Sequence, residues 1–482
     1  MGLKSLKVNL IMNMILTVSS ILFPLITFPY ISRVLQADGV GKVTFFASIV
    51  AYFVMFAQLG VPTYGIRACA KVRDDKEKLA KTVQEIFFIN TVMTIISYTV
   101  LLILCFSIDR LRENSTLFLI ISITVLLNSF GMEWLYRALE EYKYITTRSI
   151  FFKFIAVIMM VLFVKDTEDT LIYGAISIFA SSASNILNFI NIRKHIDFYK
   201  IRSFYNIKKH IRPILVFFAL TCATTIYTNL DTVMLGFMHN DAAVGYYNAS
   251  VKMKGILLGI VTSIGGVLLP RLSYYVERGE RDKFIGVSNK SFQFIMIISV
   301  ALTVYFILFS KEVIHLLAGS TYNESILPMQ ILLPSVVFIG ISNLFGLQIL
   351  VPLGKERLVL YSVIVGAVIN LALNIYLIPR YAYYGTAFSN LIAELVVLMV
   401  QVYYIRDIVK EIVKGVNYLP ILMALPIASF LSLYSLKFTN SDFLILVISA
   451  SIFFLIYYII LRIFKNKFIL YVEHQIIRMI RR

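Results

Sequence analysis

Apolar stretches long enough to cross a bilayer recur along the chain, at 9–32, 43–66, 83–106, 116–136, 149–164, 170–192, 213–238, 244–269, 291–310, 326–350, 358–378, 383–405, 418–436 and 443–461. A transmembrane helix needs about 20 apolar residues to span about 30 Å of hydrocarbon. The pattern therefore predicts an all-α polytopic membrane protein of about fourteen transmembrane helices. Pro328 and Pro334 interrupt the tenth stretch, and the basic segment 200–215 suits an interfacial helix, so a count of twelve or thirteen stays open.

Polar positions inside two of these stretches are not scattered. In the first, Asn9, Asn13, Thr17, Ser20, Pro24 and Thr27 follow a helical spacing and share one face. Thr221, Thr224, Thr228 and Asp231 do the same in the seventh. A lipid-facing helix surface has no reason to carry such a row, because unsatisfied polar groups are costly in hydrocarbon. Two readings remain: a polar cavity, or helix packing through Ser and Thr. Shifting the chain by 204 positions superposes the stripes, with Val40-Gly41 on Val244-Gly245 and Arg67 on Arg271. Six spans separate the copies, so both enter from the same side and are related by an axis along the membrane normal. The expected organisation is a six-helix lobe at 1–205, a second at 206–410, and at 411–482 two extra helices with a basic cytoplasmic tail.

Charge adds a direction. With these boundaries, 34 of the 45 Lys and Arg fall in the N-terminus and alternate loops, and eight in the loops opposite. The basic side is cytoplasmic, which puts both termini inside. The +18 net charge is thus a topology signal, and 59% hydrophobic residues with a mean hydropathy of +0.82 exclude a soluble nucleic-acid binder. Cys69, Cys105 and Cys222 show no pairing or metal-ligand spacing. The first residues lack a cleavage site after a short apolar core and read as a retained first span. The segment 468–482, with Arg478, Arg481 and Arg482, is expected on the inner surface.

Charges left inside spans are the functional candidates, because they are expensive there. Asp231 could bind a coupling cation or form a salt bridge. Lys252 and Lys254 lie about 200° apart around one helix, so one at most faces the centre; Lys252 is the preferred substrate contact. Arg33 and Lys42 bracket the turn 36–41 and could meet an anion or anchor the interface. Glu133 and Arg137 form an i,i+4 pair suited to an inner gate or a structural tie. Lys153 is expected to snorkel. Glu394, with Asn390, Asn370 and Asn374, could couple to protons or sodium or sit in a hydrogen-bonded cluster. Tyr246, Tyr247 and Tyr381, Tyr383, Tyr384 could stack on sugars or line the interface. No GxxxxGK[ST], HExxH, DxD or GxSxG occurs, and the outer loops are short, so an enzyme is not expected.

The run from Asn370 and Asn374 through Pro379, Arg380 and Gly385 to Asn390 and Glu394 resembles the N-x3-N-x3-IP-x-(Y/F)-x3-G-x-A pattern of Wzx-type polysaccharide flippases. The segments Pro29–Leu35, Glu133–Arg137, Asp231–Gly236 and Val244–Ala249 carry the same resemblance, which covers nearly the whole chain. It implies a MATE-like fold and a transporter that flips undecaprenyl-diphosphate-linked oligosaccharide across the bacterial cytoplasmic membrane by alternating access, for surface polysaccharide biosynthesis. It further implies a polymerase and glycosyltransferases as pathway partners, and no nucleic acid. Arg33, Lys42 and Lys252 would meet the diphosphate; Asn13, Thr17, Thr221 and Thr224 would meet sugars; Asp231, Glu394, Glu133 and Arg137 would couple or gate. No cofactor is expected; the energy source is left among H+, Na+ and the membrane potential. A lipid II flippase and a MATE-type drug exporter remain alternatives.

Overall fold

A computed structural model describes residues 6–196, 205–263 and 265–480. The readings made on the first residues, on 200–204 and on Arg481 and Arg482 lie outside the described residues. Within them the chain is helical, with no strand. This is the expected outcome for backbone in hydrocarbon, where each N–H must find its acceptor within its own segment.

The first helices are α1 (Leu6–Gln58), α2 (Val61–Ala70), α3 (Lys76–Ser107), α4 (Asp109–Glu113), α5 (Ser115–Phe130), α6 (Glu133–Ala138) and α7 (Tyr142–Phe163). Helix α8 (Thr170–Ile178) runs through a π-helical turn, Phe179–Ala183, into α9 (Ser184–Asn191), and α10 is Lys208–Met238. Next come α11 (Asp241–Thr262), α12 (Gly265–Glu277), α13 (Arg281–Leu308), α14 (Ser310–Ala318), a 3-10 turn Ser320–Ser325, α15 (Ile326–Leu332) and α16 (Ser335–Asn343). A second π-helical segment, Leu344–Leu350, precedes α17 (Glu356–Tyr404), α18 (Arg406–Val413), α19 (Leu419–Leu433), α20 (Asp442–Ile463) and α21 (Lys467–Ile480).

Ten of the described helices, or eleven if the bent pair α15–α16 is one span, are long and apolar enough to cross a membrane. This is fewer than the fourteen apolar stretches, for two physical reasons. Helices α1 and α17 each join two stretches across one broken residue, Gln36 (φ 60°) and Ala382 (φ 47°). Helix α11, the expected eighth span, carries Lys252 and Lys254 and is not among the ten. The suspect tenth stretch bends by 45° next to Pro334, where a proline removes a helical hydrogen bond.

Packing divides the chain into two units, Met1–Gly245 and Tyr246–Arg482. In the first, α1 packs along α3, α5, α7 and α10. Its end near α2, α3 and α6 closes on Trp134, Leu135, Leu79, Val83 and Ile86. In the second, α19 and α20 pack on each other and on α13, with Phe453, Tyr457, Ala424 and Tyr305 at the centre. Tyr305 there donates to the Leu446 carbonyl at 2.9 Å and Tyr457 to the Ile297 carbonyl at 3.1 Å, so both buried hydroxyls are satisfied.

Candidate functional site

Within the first unit, the second half of α1, α5, α8 with its π-helical turn, and α10 line an open cavity of about 430 Å³. Its polar lining is uncharged: Gln58, Thr124, Asn128, Ser177, Ser181, Thr221, Thr225 and Asn229. Apolar side chains, among them Val43, Val50, Met55 and Ile121, make up the rest of the wall. The π-helical turn places Ser181 on this wall; such turns are frequent at functional sites. Thr221 is the one predicted site residue on the cavity. Thr224, a turn away, is exposed.

The hydroxyls of both stripes bond their own helices. Thr17 donates to the Asn13 carbonyl at 2.9 Å, Ser20 to Leu16 at 2.9 Å, Thr221 to Phe217 at 3.0 Å and Thr228 to Thr224 at 2.9 Å. A hydroxyl that donates inward still presents acceptor lone pairs outward. Asn13, Thr17 and Ser20 are exposed on α1. Lys153 of α7 does not run to the helix end as a snorkelling lysine would; its ammonium donates to Ser20 Oγ at 2.9 Å and Ser19 Oγ at 3.3 Å. The stripe thus acquires a cation that the sequence assigned to the surface.

A hydrogen-bonded path leads from the cavity to charge. Asn128 accepts from Asn185 at 3.0 Å, and Asn185 accepts from Arg148 at 3.3 Å. Arg148 also donates to the Ser184 carbonyl at 2.5 Å and to Glu133 Oε2 at 3.1 Å. Glu133 Oε1 accepts from Arg137 at 2.8 Å. The expected Glu133–Arg137 pair is therefore formed, but it is part of a triad whose third member, Arg148, is only 5% exposed. Sequence reasoning counted Arg148 with the loop; its place twelve residues after a span end gave no sign of burial. A second missed cluster joins α2, α3 and α10: Glu85 accepts from the Asn206 amide at 2.6 Å, Lys209 at 2.7 Å and His210 at 2.8 Å, and the other ring nitrogen of His210 meets the Tyr64 hydroxyl at 2.6 Å.

At the other end of this unit Arg33 is exposed and folds back on the Pro29 carbonyl at 2.5 Å, while Lys42 is half-buried. The ordered cation there is Arg110, which holds Asp241 at 2.5 Å, donates to the Gly236 carbonyl, and lies 4.4 Å from the Phe45 ring centre. Asp231 is buried and within electrostatic reach of Tyr52. In the second unit Lys254 is buried and donates to Asn390 Oδ1 at 2.8 Å. Lys252 is half-buried. Asn374 donates to Asn370 at 3.2 Å, and Glu394 is buried one turn beyond Asn390. Among the described residues no group of three His, Cys, Asp or Glu could hold a metal ion.

Residues 6–276, more than half of the chain, match the family described as polysaccharide biosynthesis protein. The chain belongs to that family. The match takes in α1 to α11 and with them the whole cavity wall. The "Putative O-antigen transporter" of Escherichia coli (strain K12) is 22% identical over 404 residues, 84% of this chain and 97% of that protein. The "Probable low-salt glycan biosynthesis flippase Agl15" of Haloferax volcanii is 20% identical over 38% of this chain and 39% of its own length. In fold, the chain is similar to the lipid II flippase MurJ in an inward closed conformation, with a TM-score of 0.76 at 15% identity over 95% of this chain and all of that one. It is also similar to an inward-facing MATE family transporter, with a TM-score of 0.66 at 13% identity, covering 81% of this chain and 96% of that one.

Proposed function

We propose that the protein flips a polyprenyl-diphosphate-linked oligosaccharide repeat unit across the cytoplasmic membrane, for a surface polysaccharide such as capsule, O-antigen or exopolysaccharide. The observation that carries this reading is the uncharged cavity of the first unit, with Asn128, Asn229, Gln58, Thr221 and Thr225 on its wall. Sugar hydroxyls both donate and accept, and amides and hydroxyls answer both needs without the desolvation cost of a buried charge. A cavity for cationic drugs would instead need acidic groups on its wall, which disfavours the MATE-type exporter; a lipid II flippase is the second reading, favoured by the fold.

The same reading supplies the remaining parts. Counting α1 and α17 as two spans each and adding α11 brings the eleven spans to fourteen, arranged as lobes 1–205 and 206–410 with an extra pair at 411–482. Both termini are cytoplasmic. Arg33, Lys42 and Lys252 meet the diphosphate, and Asn13, Thr17, Thr221 and Thr224 meet the sugars. Asp231 and Glu394 couple transport to H+, Na+ or the membrane potential, and the Glu133–Arg137 pair gates the inner end. A polymerase and glycosyltransferases of the same pathway are the functional partners.

Lys252→Ala is expected to lower surface polysaccharide and to leave lipid-linked repeat units accumulating in the cell, with membrane abundance of the protein unchanged. Normal polymer in cells that lack the protein altogether would sink the flippase reading. In the same cells Asp231→Asn is expected to change how export depends on external pH or sodium, and an unchanged dependence would return Asp231 to a structural role.

A further inference from the structure

Four tyrosines and one glutamate from three separate segments of the second unit converge at one end. Tyr246 lies in the second turn of α11, Tyr322 and Glu324 in the 3-10 turn before α15, and Tyr383 and Tyr384 directly after the break in α17. The Tyr246 ring centre is 5.5 Å from that of Tyr383 and 5.8 Å from that of Tyr322, and Tyr383 is 4.4 Å from Tyr384. Tyr383 and Tyr384 both donate to the same carboxylate oxygen, Glu324 Oε2, at 2.7 and 2.6 Å. Glu324 is exposed, and its Oε1 takes neither of these bonds.

The backbone that presents the pair is strained. Ala382 has φ 47° and ψ −127°, a conformation that an L-residue with a Cβ adopts at a cost. Strain of this kind persists where surrounding contacts over-determine it, and it clusters at functional sites. Here it turns two consecutive tyrosines toward one carboxylate. An interface belt would account for tyrosines at this depth, but not for two consecutive tyrosines fixed on one exposed carboxylate beside a strained alanine, with a third segment packed against them.

The chemistry of the cluster selects a ligand. Aromatic faces offer a large apolar surface beside a polar rim, and a pyranose ring offers the complement: one face of C–H groups and a rim of hydroxyl donors. An ionised carboxylate only accepts hydrogen bonds, so it takes hydroxyls and repels phosphates and uronic acids. We propose that Tyr383, Tyr384 and Glu324, buttressed by Tyr246 and Tyr322, form a carbohydrate-binding site for an uncharged pyranose ring, stacked on the tyrosine pair and hydrogen-bonded to Glu324 Oε1. The site lies at the end assigned to the outside and rests on the flippase reading: it holds a sugar of the repeat unit as that unit leaves the protein.

The test uses the full-length protein in lipid nanodiscs free of glycoside detergents, with saturation-transfer NMR as the readout. Methyl β-glucopyranoside, glucuronate and tetramethylammonium serve as probes. Transfer is expected to the methyl glucoside and not to the other two. Glu324→Ala and the double change Tyr383→Ala with Tyr384→Ala are expected to weaken glucoside binding about tenfold, the scale of one lost hydrogen-bonded or stacked contact. Glu324→Gln keeps an acceptor for both tyrosines, removes the charge, and is expected to admit glucuronate; it preserves the test if an alanine variant fails to fold. No transfer to glucoside in the unchanged protein, equal transfer in the variants, or transfer to tetramethylammonium alone overturns the site. If glucoside fails to bind while cells still need the protein for surface polysaccharide, only this site is lost. If it binds but cells without the protein make normal polysaccharide, the flippase reading is lost and the site stands.

Discussion

Arg148 holds Glu133, Asn185 and the Ser184 carbonyl at once while only 5% exposed. Removing it takes a donor from Glu133 Oε2 and from the Ser184 carbonyl and leaves a void against the Tyr144 ring, which its guanidinium faces at 5.8 Å. Glu133 keeps Arg137 and remains partly solvated, so the loss is that of the hydrogen bonds and packing of one buried guanidinium. Arg148→Ala is therefore expected to lower unfolding stability by about 2 kcal/mol, and Arg148→Lys to restore little, since an ammonium lacks the planar fork. Thermal unfolding in nanodiscs reads this directly; an unchanged midpoint would mean that the triad carries no stability. Two glycines are as constrained. A Cβ on Gly41 would lie 1.8 Å from the Asp241 carbonyl oxygen, and one on Gly245 2.0 Å from that of Ala37. Both obstacles are backbone, so neither yields as a side chain would.

At the level of elements, the interruptions were better marked in the sequence than the helices' joins. The gap at 36–41 holds the break at Gln36, and the gap at 379–382 holds the break at Ala382. What the pattern could not show is that each gap is closed by a single distorted residue rather than by a loop, because one φ angle leaves no mark on hydropathy. The link between α7 and α8 is a real loop, and it makes its own prediction. The amides of Lys165 and Asp166 donate to Asp169 Oδ2 at 2.8 and 2.9 Å. These bonds favour the ionised form and hold the Asp169 carboxyl below its usual range. A depressed folded pKa means that the contribution is present above the unfolded value, near pH 4, and is lost as pH falls through the folded value. Protection of the two amides from hydrogen exchange is expected to hold at neutral pH and to disappear in acid. Asp169→Asn should abolish that step, and pH-independent protection in the native protein would contradict it.

For the whole molecule, sidedness is the statement with the widest consequence, because it decides which end of each unit meets the cytoplasm. With the native cysteines replaced, Asp75→Cys is expected to resist a membrane-impermeant thiol reagent applied to intact cells, and Glu168→Cys to react. Both positions lie in described loops outside the long helices, so accessibility reports orientation rather than burial. The reverse pattern would invert the assignment and place the tyrosine–glutamate cluster inside. The offset of 204 residues that pairs Val40-Gly41 with Val244-Gly245 has a structural counterpart in the first unit, where Gly41 meets Asp241 and Gly245 meets Ala37. The two copies of the motif pack against each other. Periodicity could suggest that they were related, though not that they would touch.

Taken alone, the sequence determined that the chain is helical, suited to the membrane, polar along two matched faces and built on a flippase-like pattern. Those properties are local: hydrocarbon selects composition residue by residue, and a helix satisfies its backbone within its own segment. Tertiary structure decided which polar groups meet. Lys254 reaches Asn390, Lys153 turns to Ser20, and Arg148 completes the Glu133 pair. Each choice depends on which neighbour a helix face is turned toward, and that rotation is set by packing across elements far apart in the chain.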